Sequence, residues 1–326
     1  MVWSFILPVY EWIFTVFSPS VRAGERAGGG KQPTRRCVGA AARTVPRRLC
    51  QAGRAWVTTG RRRPLALGPA ALMRPFSLWL LRRTLVCGSA ACCHSWTASA
   101  GSNDQLVANL QRDQGLSPAS VTALSRVDRA NFLPRDLLRN AYEDRPLPIG
   151  HGVTISAPHM HAVALEVLLE KLQPGAAVLD VGVGSGFLAA AFAEMVGPAG
   201  SVLGIDRVPA LVAMSETNLR RHDASLLASG RVRFALADGW ASCSEGGPFD
   251  AIHVGAAAAS MPAELVAQLK PGGRMMIPIG PEGGNQVIVQ VDKDAAGRVH
   301  RTSLMGVRYV PLVKGVAGPQ RCDEES

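Results

Sequence analysis

The sequence predicts an α/β domain built on a doubly wound, mostly parallel sheet, and three observations carry that reading. Apolar stretches of strand length alternate with amphipathic stretches of helix length between about residues 176 and 279. One of those strands opens into a glycine-rich turn just before a helix. Acidic residues stand at the ends of successive strands, where open α/β sheets hold their ligands.

The elements follow in order. A helix is expected over 104–114, capped by Ser102 or Asn103 and stopped by Gly115, and Ser117-Pro118 restarts the chain as a second. A third, over 157–172, carries a stripe of Leu165, Leu168, Leu169 and Leu172 before Pro174-Gly175 ends it. Strands at 176–181, 201–205, 231–236, 250–254 and 274–279 then alternate with helices at 187–196, 209–221 and 262–269. After them, 286–291 and 299–310 alternate apolar with polar residues and read as antiparallel edge strands.

The first hundred residues differ in kind. The chain has 326 residues and a net charge of +10, yet residues 1–100 hold 15 Arg and Lys against Glu11 and Glu25 alone. That segment therefore carries +13 and the rest of the chain −3. The body offers no basic footprint, so a nucleic-acid partner is not expected. Residues 1–100 show no sustained apolar period and read as a disordered leader, or as an extension upstream of a start at Met73. Their Arg-rich, acid-poor composition also suits a mitochondrial transit peptide.

The apolar stretch 2–17 is short and holds Pro8 and Glu11, so no stable membrane span is expected. Beyond residue 100 the cysteines are Cys243 and Cys322, no C-x-x-C pair exists, and no metal site is expected. Cys243 reads as a packed or surface thiol. The body suits a reducing compartment, and the cytosol is the expected location. The folded domain is placed at 101–315, before a short polar tail at 316–326.

The strongest local motif is Val178-Leu-Asp180-Val-Gly182-Val-Gly184-Ser185-Gly186. Glycine there lets the backbone bend sharply and lets a ligand approach it. A dinucleotide turn would place its last glycine where Phe187 stands. The D-x-G-x-G-x-G form suits a nucleoside without a pyrophosphate, and it resembles motif I of the class I S-adenosylmethionine-dependent methyltransferases. Asp206, closing the next strand, is placed to accept ribose hydroxyls, or else to cap the helix opened by Pro209. Asp238-Gly239 follows the third strand and is either a ligand contact or a plain turn. The fourth strand leads from His253 into Gly255-Ala-Ala-Ala-Ala, without the N/D-P-P-Y/F sequence of amine-directed nucleic-acid methyltransferases; His253 reads as a core histidine.

Upstream lies Val153-Thr-Ile-Ser156-Ala-Pro158-His159-Met-His161. This run closely resembles the signature of the protein-L-isoaspartate O-methyltransferases. So do Asp250-Ala-Ile-His-Val-Gly-Ala-Ala-Ala, Leu269-Lys-Pro-Gly-Gly-Arg, Pro278-Ile-Gly-Pro-Glu-Gly-Gly-Asn-Gln286 and Leu304-Met-Gly-Val-Arg-Tyr-Val-Pro-Leu312, in the family's order. The resemblance implies a class I methyltransferase sheet with an N-terminal helical cap and C-terminal antiparallel strands. It implies methyl transfer from S-adenosyl-L-methionine to L-isoaspartyl and D-aspartyl groups of damaged proteins and peptides, by a monomer.

By the same resemblance Ser156 is the candidate catalytic residue, positioning the substrate carboxylate. Physics allows that role, because a hydroxyl beside a helix N-terminus is an anion receptor, but a simple helix cap would use the same residue. The cofactor would meet Val153, Thr154, Ile155, Ser156, His161, Asp180, Gly182, Gly184 and Ser185, with Asp206 and Arg207 at the ribose and Asp238 and Gly239 at the adenine. One departure stands out: the family commonly has Thr where this chain has Val313, and Gln near Gly318. A non-catalytic adaptor of this fold, and a methyltransferase of a small carboxylic acid, are the alternatives. The adaptor relatives carry long C-terminal extensions, whereas this sequence runs 13 residues past Val313.

Overall fold

In the computed structural model, residues 98–241 and 246–317 are described. The leader through Thr97, Cys243, Gly318 and Cys322 lie outside the described residues, with the expectations attached to them.

Two helices open the domain. α1 (Asn103–Gln114) is capped by the Ser102 hydroxyl, which accepts from the Gln105 N–H, and Gly115 ends it in a left-handed turn at φ 68°. Glycine meets that requirement without strain. α2 (Pro118–Arg126) starts at Ser117, whose hydroxyl accepts from the Ser120 N–H, with Pro118 in the first turn. Two short 3-10 turns, Arg129–Phe132 and Arg135–Asn140, lead into a hairpin of β1 (Leu147–Gly150) and β2 (Val153–Ile155). α3 (Pro158–Leu168) follows, and the chain tightens into a 3-10 turn over Leu169–Lys171, so the third helix is shorter than its leucine stripe suggests.

The sheet then forms from β3 (Ala177–Val181), β4 (Ser201–Asp206), β5 (Val232–Leu236), β6 (Phe249–Val254), β7 (Leu269–Ile279), β8 (Gln286–Lys293) and β9 (Val299–Val307). Its spatial order is β5-β4-β3-β6-β7-β8-β9. The first five strands in that order are parallel, and β8 and β9 close the edge antiparallel. This is the expected doubly wound sheet with an antiparallel extension. α4 (Phe187–Val196), α5 (Pro209–Ala228) and α6 (Ala263–Ala267) connect the parallel strands. α5 runs past its expected end at Arg221 because the chain kinks at Asp223 (φ −154°, ψ 100°) and resumes its helix. α6 is shorter than expected, since Leu269 already pairs with Phe249 as the start of β7.

Buried side chains fill both faces of the sheet. One cluster joins Leu106, Leu110, Phe132, Leu165, Leu168 and Phe192 with strand residues such as Val178 and Val202. The other gathers Leu179, Ile205, Ile252, Leu265 and Met275. Both faces of β3 and β6 are thus covered, which is why these strands read as nearly continuous apolar runs.

The described residues just before Gly101 are tied to the domain. Ala98 is buried, the Ala100 N–H donates to the Tyr142 carbonyl, and the Asp144 N–H donates to the Ser99 hydroxyl at 2.9 Å. Removing 98–100 leaves the Asp144 and Tyr142 groups without these partners. A chain beginning at Trp96 should melt like the full chain, whereas one beginning at Gly101 should lose about 1–3 kcal/mol. Equal melting temperatures for the two truncations, measured by calorimetry, would remove Ala98–Ala100 from the domain.

Candidate active site

The order of the sheet reverses between β3 and β6, whose connections leave to opposite sides. At such a switch point a crevice opens beyond the carboxyl ends of the strands. A cavity of about 380 Å³ lies there, within the range typical of small-ligand sites. Its floor is made by the strand ends: Val181 and Gly182 after β3, Ile205 and Asp206 from β4, Ala237 and Gly239 beyond β5, and Gly255 and Ala256 beyond β6. Val153 and Thr154 of β2 form one wall, and Val310 to Val313 another.

The glycine turn is shaped for close approach. Gly182, Gly184 and Gly186 all take positive φ, at 76°, 54° and 85°. A side chain at Gly239 would begin 2.6 Å from Val181 Cγ1, so the floor there admits glycine alone. Asp206 is only 7 % exposed. One of its oxygens accepts from the Gly184 N–H at 3.2 Å and the other from the Val208 N–H at 3.1 Å. Burial pushes its pKa above 3.8, partly offset by these backbone donors. Val208 occupies the cap position of α5 without a side-chain cap bond, so Asp206 is not the helix's N-cap.

Ser156 stands between β2 and α3, next to the cavity wall. Ala157 takes the cap position of α3 with no side-chain cap bond, so the capping alternative for Ser156 falls away. Burial raises the Tyr309 phenol to about 12, partly offset by the Ser156 side chain. The head of α3 is held from the side by buried Asp144, which accepts from the His159 N–H at 2.9 Å and pairs with His159 Nδ1 at 2.8 Å.

Five residues expected at the cofactor are buried or bonded to other parts of the chain. Ile155 is buried, and Asp180 is 2 % exposed and pairs with His253 Nδ1 at 2.8 Å inside the sheet. Ser185 is buried, its hydroxyl accepting from the Phe187 N–H. His161 packs on the Phe187 ring at 4.7 Å with Arg129 Nη1 3.5 Å from its Nδ1. Burial first, and the Arg129 charge next, hold His161 well below pKa 6.5, so it is neutral. Asp238 accepts from the Trp240 N–H at 2.8 Å and the Gly315 N–H at 2.7 Å. None of these side chains lines the cavity. Val153, Thr154, Gly182, Gly184, Asp206, Arg207 and Gly239 do.

The sequence reading missed the wall formed after β9. The strand ends at Val307 rather than continuing to Val310. Pro311 cannot donate to a ladder, and the segment turns across the cavity mouth. The Ala257 N–H donates to Val310 and the Leu312 N–H donates to Ala257. Gln286, 1 % exposed, accepts from the Tyr309 N–H and donates to the Tyr309 and Pro281 carbonyls. Trp240 Nε1 donates to the Leu312 carbonyl at 2.7 Å, and Arg207 Nε to the Gly315 carbonyl at 2.9 Å. The hairpin tip was missed as well: His151 takes φ 54° between two positive-φ glycines and lines the cavity, as does Glu282. Gly150-x-Gly152 between apolar residues was the available signal.

A family model described as protein-L-isoaspartate(D-aspartate) O-methyltransferase matches residues 101–317. The chain belongs to this family. A protein-L-isoaspartate O-methyltransferase of Caenorhabditis elegans is 44 % identical over 219 residues, covering 67 % of this chain and 95 % of that protein. One from Triticum aestivum is 48 % identical over 58 % of this chain and 81 % of its own. Among solved structures, a Plasmodium falciparum protein-L-isoaspartate O-methyltransferase in complex with S-adenosyl-L-homocysteine superposes with TM-score 0.60 at 33 % identity, over 66 % of this chain and 100 % of that one.

The cavity of this isoaspartyl methyltransferase chain suits a nucleoside cofactor. A buried carboxylate, a glycine turn without side chains and a volume of about 380 Å³ provide acceptor, close approach and room. Among the described residues, no group of three His, Cys, Asp or Glu is placed to hold a metal ion.

Asp206→Ala should raise the Kd for S-adenosylhomocysteine at least about tenfold, since each hydrogen bond to a charged acceptor contributes roughly 1.5–3 kcal/mol. Calorimetric affinity equal to wild type would leave Asp206 as backbone scaffolding alone. His161 makes a separate prediction. Its pKa is depressed on folding, so below about pH 6.5 the unfolded chain binds the extra proton and stability falls as pH drops. His161→Gln should flatten that acid slope by up to about 1.4 kcal/mol per pH unit in denaturant titrations. An unchanged slope would mean that His161 is protonated in the fold.

Proposed function

We propose that the chain transfers the methyl group of S-adenosyl-L-methionine to the free carboxylate of L-isoaspartyl, and D-aspartyl, residues in damaged proteins and peptides. The observation that carries this reading is the position of Ser156. Ser156 stands between β2 and α3, two residues past Thr154 of the wall of a cavity whose floor includes Asp206 and the glycine turn, in a chain of this family.

When bound, the cofactor supplies an electrophilic sulfonium methyl. A carboxylate nucleophile is already ionised at neutral pH, so the protein has no proton to remove. Asp206 and Arg207 would hold the ribose, and Thr154 and Val153 the neighbouring wall. Gly182, Gly184 and Gly239 admit the ligand to the backbone. Ser156 would orient the substrate carboxylate, a proximity effect rather than acid–base catalysis. Asp180, Ser185, His161, Ile155 and Asp238 act on this reading by fixing the turns and segments that carry those contacts.

The same reading takes the enzyme to be a cytosolic monomer, or a mitochondrial one if the arginine-rich leader directs import. A fusion of residues 1–100 to a fluorescent protein separates these locations.

Tritiated methyl should pass from the cofactor to a synthetic isoaspartyl peptide and not to its aspartyl twin. Equal labelling of both, or of neither, would overturn the assignment. Because Ser156 is no cap, Ser156→Ala should keep the melting temperature and the S-adenosylhomocysteine affinity. It should lower kcat/KM for the isoaspartyl peptide by about 10- to 100-fold. Lost stability with normal turnover would return Ser156 to a structural role.

A further inference from the structure

Two acids and one arginine line the cavity, Asp206, Glu282 and Arg207, together with His151 of the hairpin tip. Asp206 accepts from the Gly184 and Val208 N–H groups, and Arg207 Nε donates to the Gly315 carbonyl. Glu282 differs from both. Among the described residues its carboxylate has no hydrogen bond and no ion pair, and it is exposed while lining the cavity, which puts it at the mouth.

The position of Glu282 is fixed all the same. It is the second residue of a turn closed by the Gly284 N–H on the Pro281 carbonyl at 3.2 Å, and Gly283 follows it at φ 68°. Buried Gln286 donates to the same Pro281 carbonyl at 3.3 Å and also bonds the Tyr309 backbone, so the turn is tied to the wall formed after β9. A carboxylate held at the mouth of a small cavity sets the potential inside it.

We propose that Glu282 is a specificity-determining residue that makes the cavity favour the cationic methyl donor over the neutral product of transfer. S-Adenosyl-L-methionine carries a sulfonium. When the methyl leaves, the electron pair of its bond stays on sulfur, and S-adenosyl-L-homocysteine has a neutral thioether there. Adenine, ribose and amino-acid groups are common to the two, so hydrogen bonds to those parts hold both alike. A Coulomb interaction with the sulfur separates them. It needs no contact, because a cavity of about 380 Å³ is small against the screening length of about 8–10 Å at ordinary salt. Glu282 therefore retains the fresh cofactor and lets the spent one go, which limits product inhibition. This inference rests on the cofactor and is independent of the isoaspartyl substrate.

Calorimetry on the full chain tests it with three ligands: S-adenosylmethionine, S-adenosylhomocysteine and sinefungin, whose protonated amine stands where the sulfonium does. Glu282→Gln should raise the Kd of the two cationic ligands about three- to fivefold and leave that of S-adenosylhomocysteine at its wild-type value. Glu282→Lys should raise the first two about tenfold, and Glu282→Asp should keep the wild-type preference. Melting temperatures should not move, since the side chain is exposed and unpaired. In the wild type the preference for the cationic ligands should shrink as salt rises, and in the Gln variant that dependence should be gone.

Equal weakening of all three ligands would make Glu282 a contact to their shared amino-acid group, and unchanged affinities would make it a surface charge alone. Either result overturns the proposal. If the Gln variant melts well below wild type, the wild-type salt titration decides, and a preference that stays flat with salt overturns it. A wild-type chain that binds none of the three ligands overturns it together with the cofactor assignment, whereas failure to label an isoaspartyl peptide touches only the substrate reading.

Discussion

Parallel strands β3 and β6 lie side by side, yet their outgoing chains leave on opposite faces, so a crevice opens beyond their carboxyl ends. That reversal creates the cavity before any side chain is chosen. What the sequence must then supply is a floor without side chains and an acceptor that survives burial. Gly182 and Gly184, at positive φ, meet the first need, and Gly239 has no room for anything larger. Asp206 meets the second. It is kept ionisable in a desolvated position by two backbone N–H donors, one of them from the glycine turn itself. Turn and carboxylate hold each other, so neither can be changed alone.

The roof of the site depends on a different set of residues. Tyr309 to Leu312 crosses the mouth because Gln286, Ala257 and Trp240 each bond its backbone. Asp238 and Arg207 hold the following Gly315 at its N–H and its carbonyl. Lys314 adds a contact over the Trp240 ring at 5.1 Å. Buried polar groups need partners, and an irregular segment offers many. The motif residues around Pro281 to Gln286 are thus accounted for by backbone satisfaction of the roof.

The periodic parts of the fold were legible in the sequence for physical reasons. Fully buried strands such as β3 and β6 show as apolar runs, and Ser102, Ser117 and Gly115 mark helix ends by local hydrogen bonding. The glycine turn and Asp206 could be placed at the cavity because both stand at strand ends beside the switch point. Asp180 could not be placed in the same way. A carboxylate just before a glycine turn looks the same in sequence whether it faces a ligand or, as here, a histidine on the next strand. Gln286, Trp240 and Tyr309 were likewise illegible as a group, because what unites them is a non-repeating segment folded across the sheet. Such contacts follow from tertiary packing and leave no period.

The balance of charge around the site fits a reaction between unlike partners. A sulfonium cofactor is cationic, and the cavity is lined by the acidic residues Asp206 and Glu282. An isoaspartyl carboxylate is anionic, and on the proposed reading it would lie near the positive end of α3. Asp144, at that helix start, is bonded to the His159 N–H and ring. Asp144 in turn holds Ser99, which ties the extreme start of the folded domain to the head of α3. As the methyl moves, one positive and one negative charge vanish together. A site that gripped either charge too tightly would stabilise the reactants over the transition state. On the proposed reading, a neutral Ser156 hydroxyl at the substrate carboxylate and Asp206 at the ribose would bind both partners while leaving the charge-cancelling step unopposed.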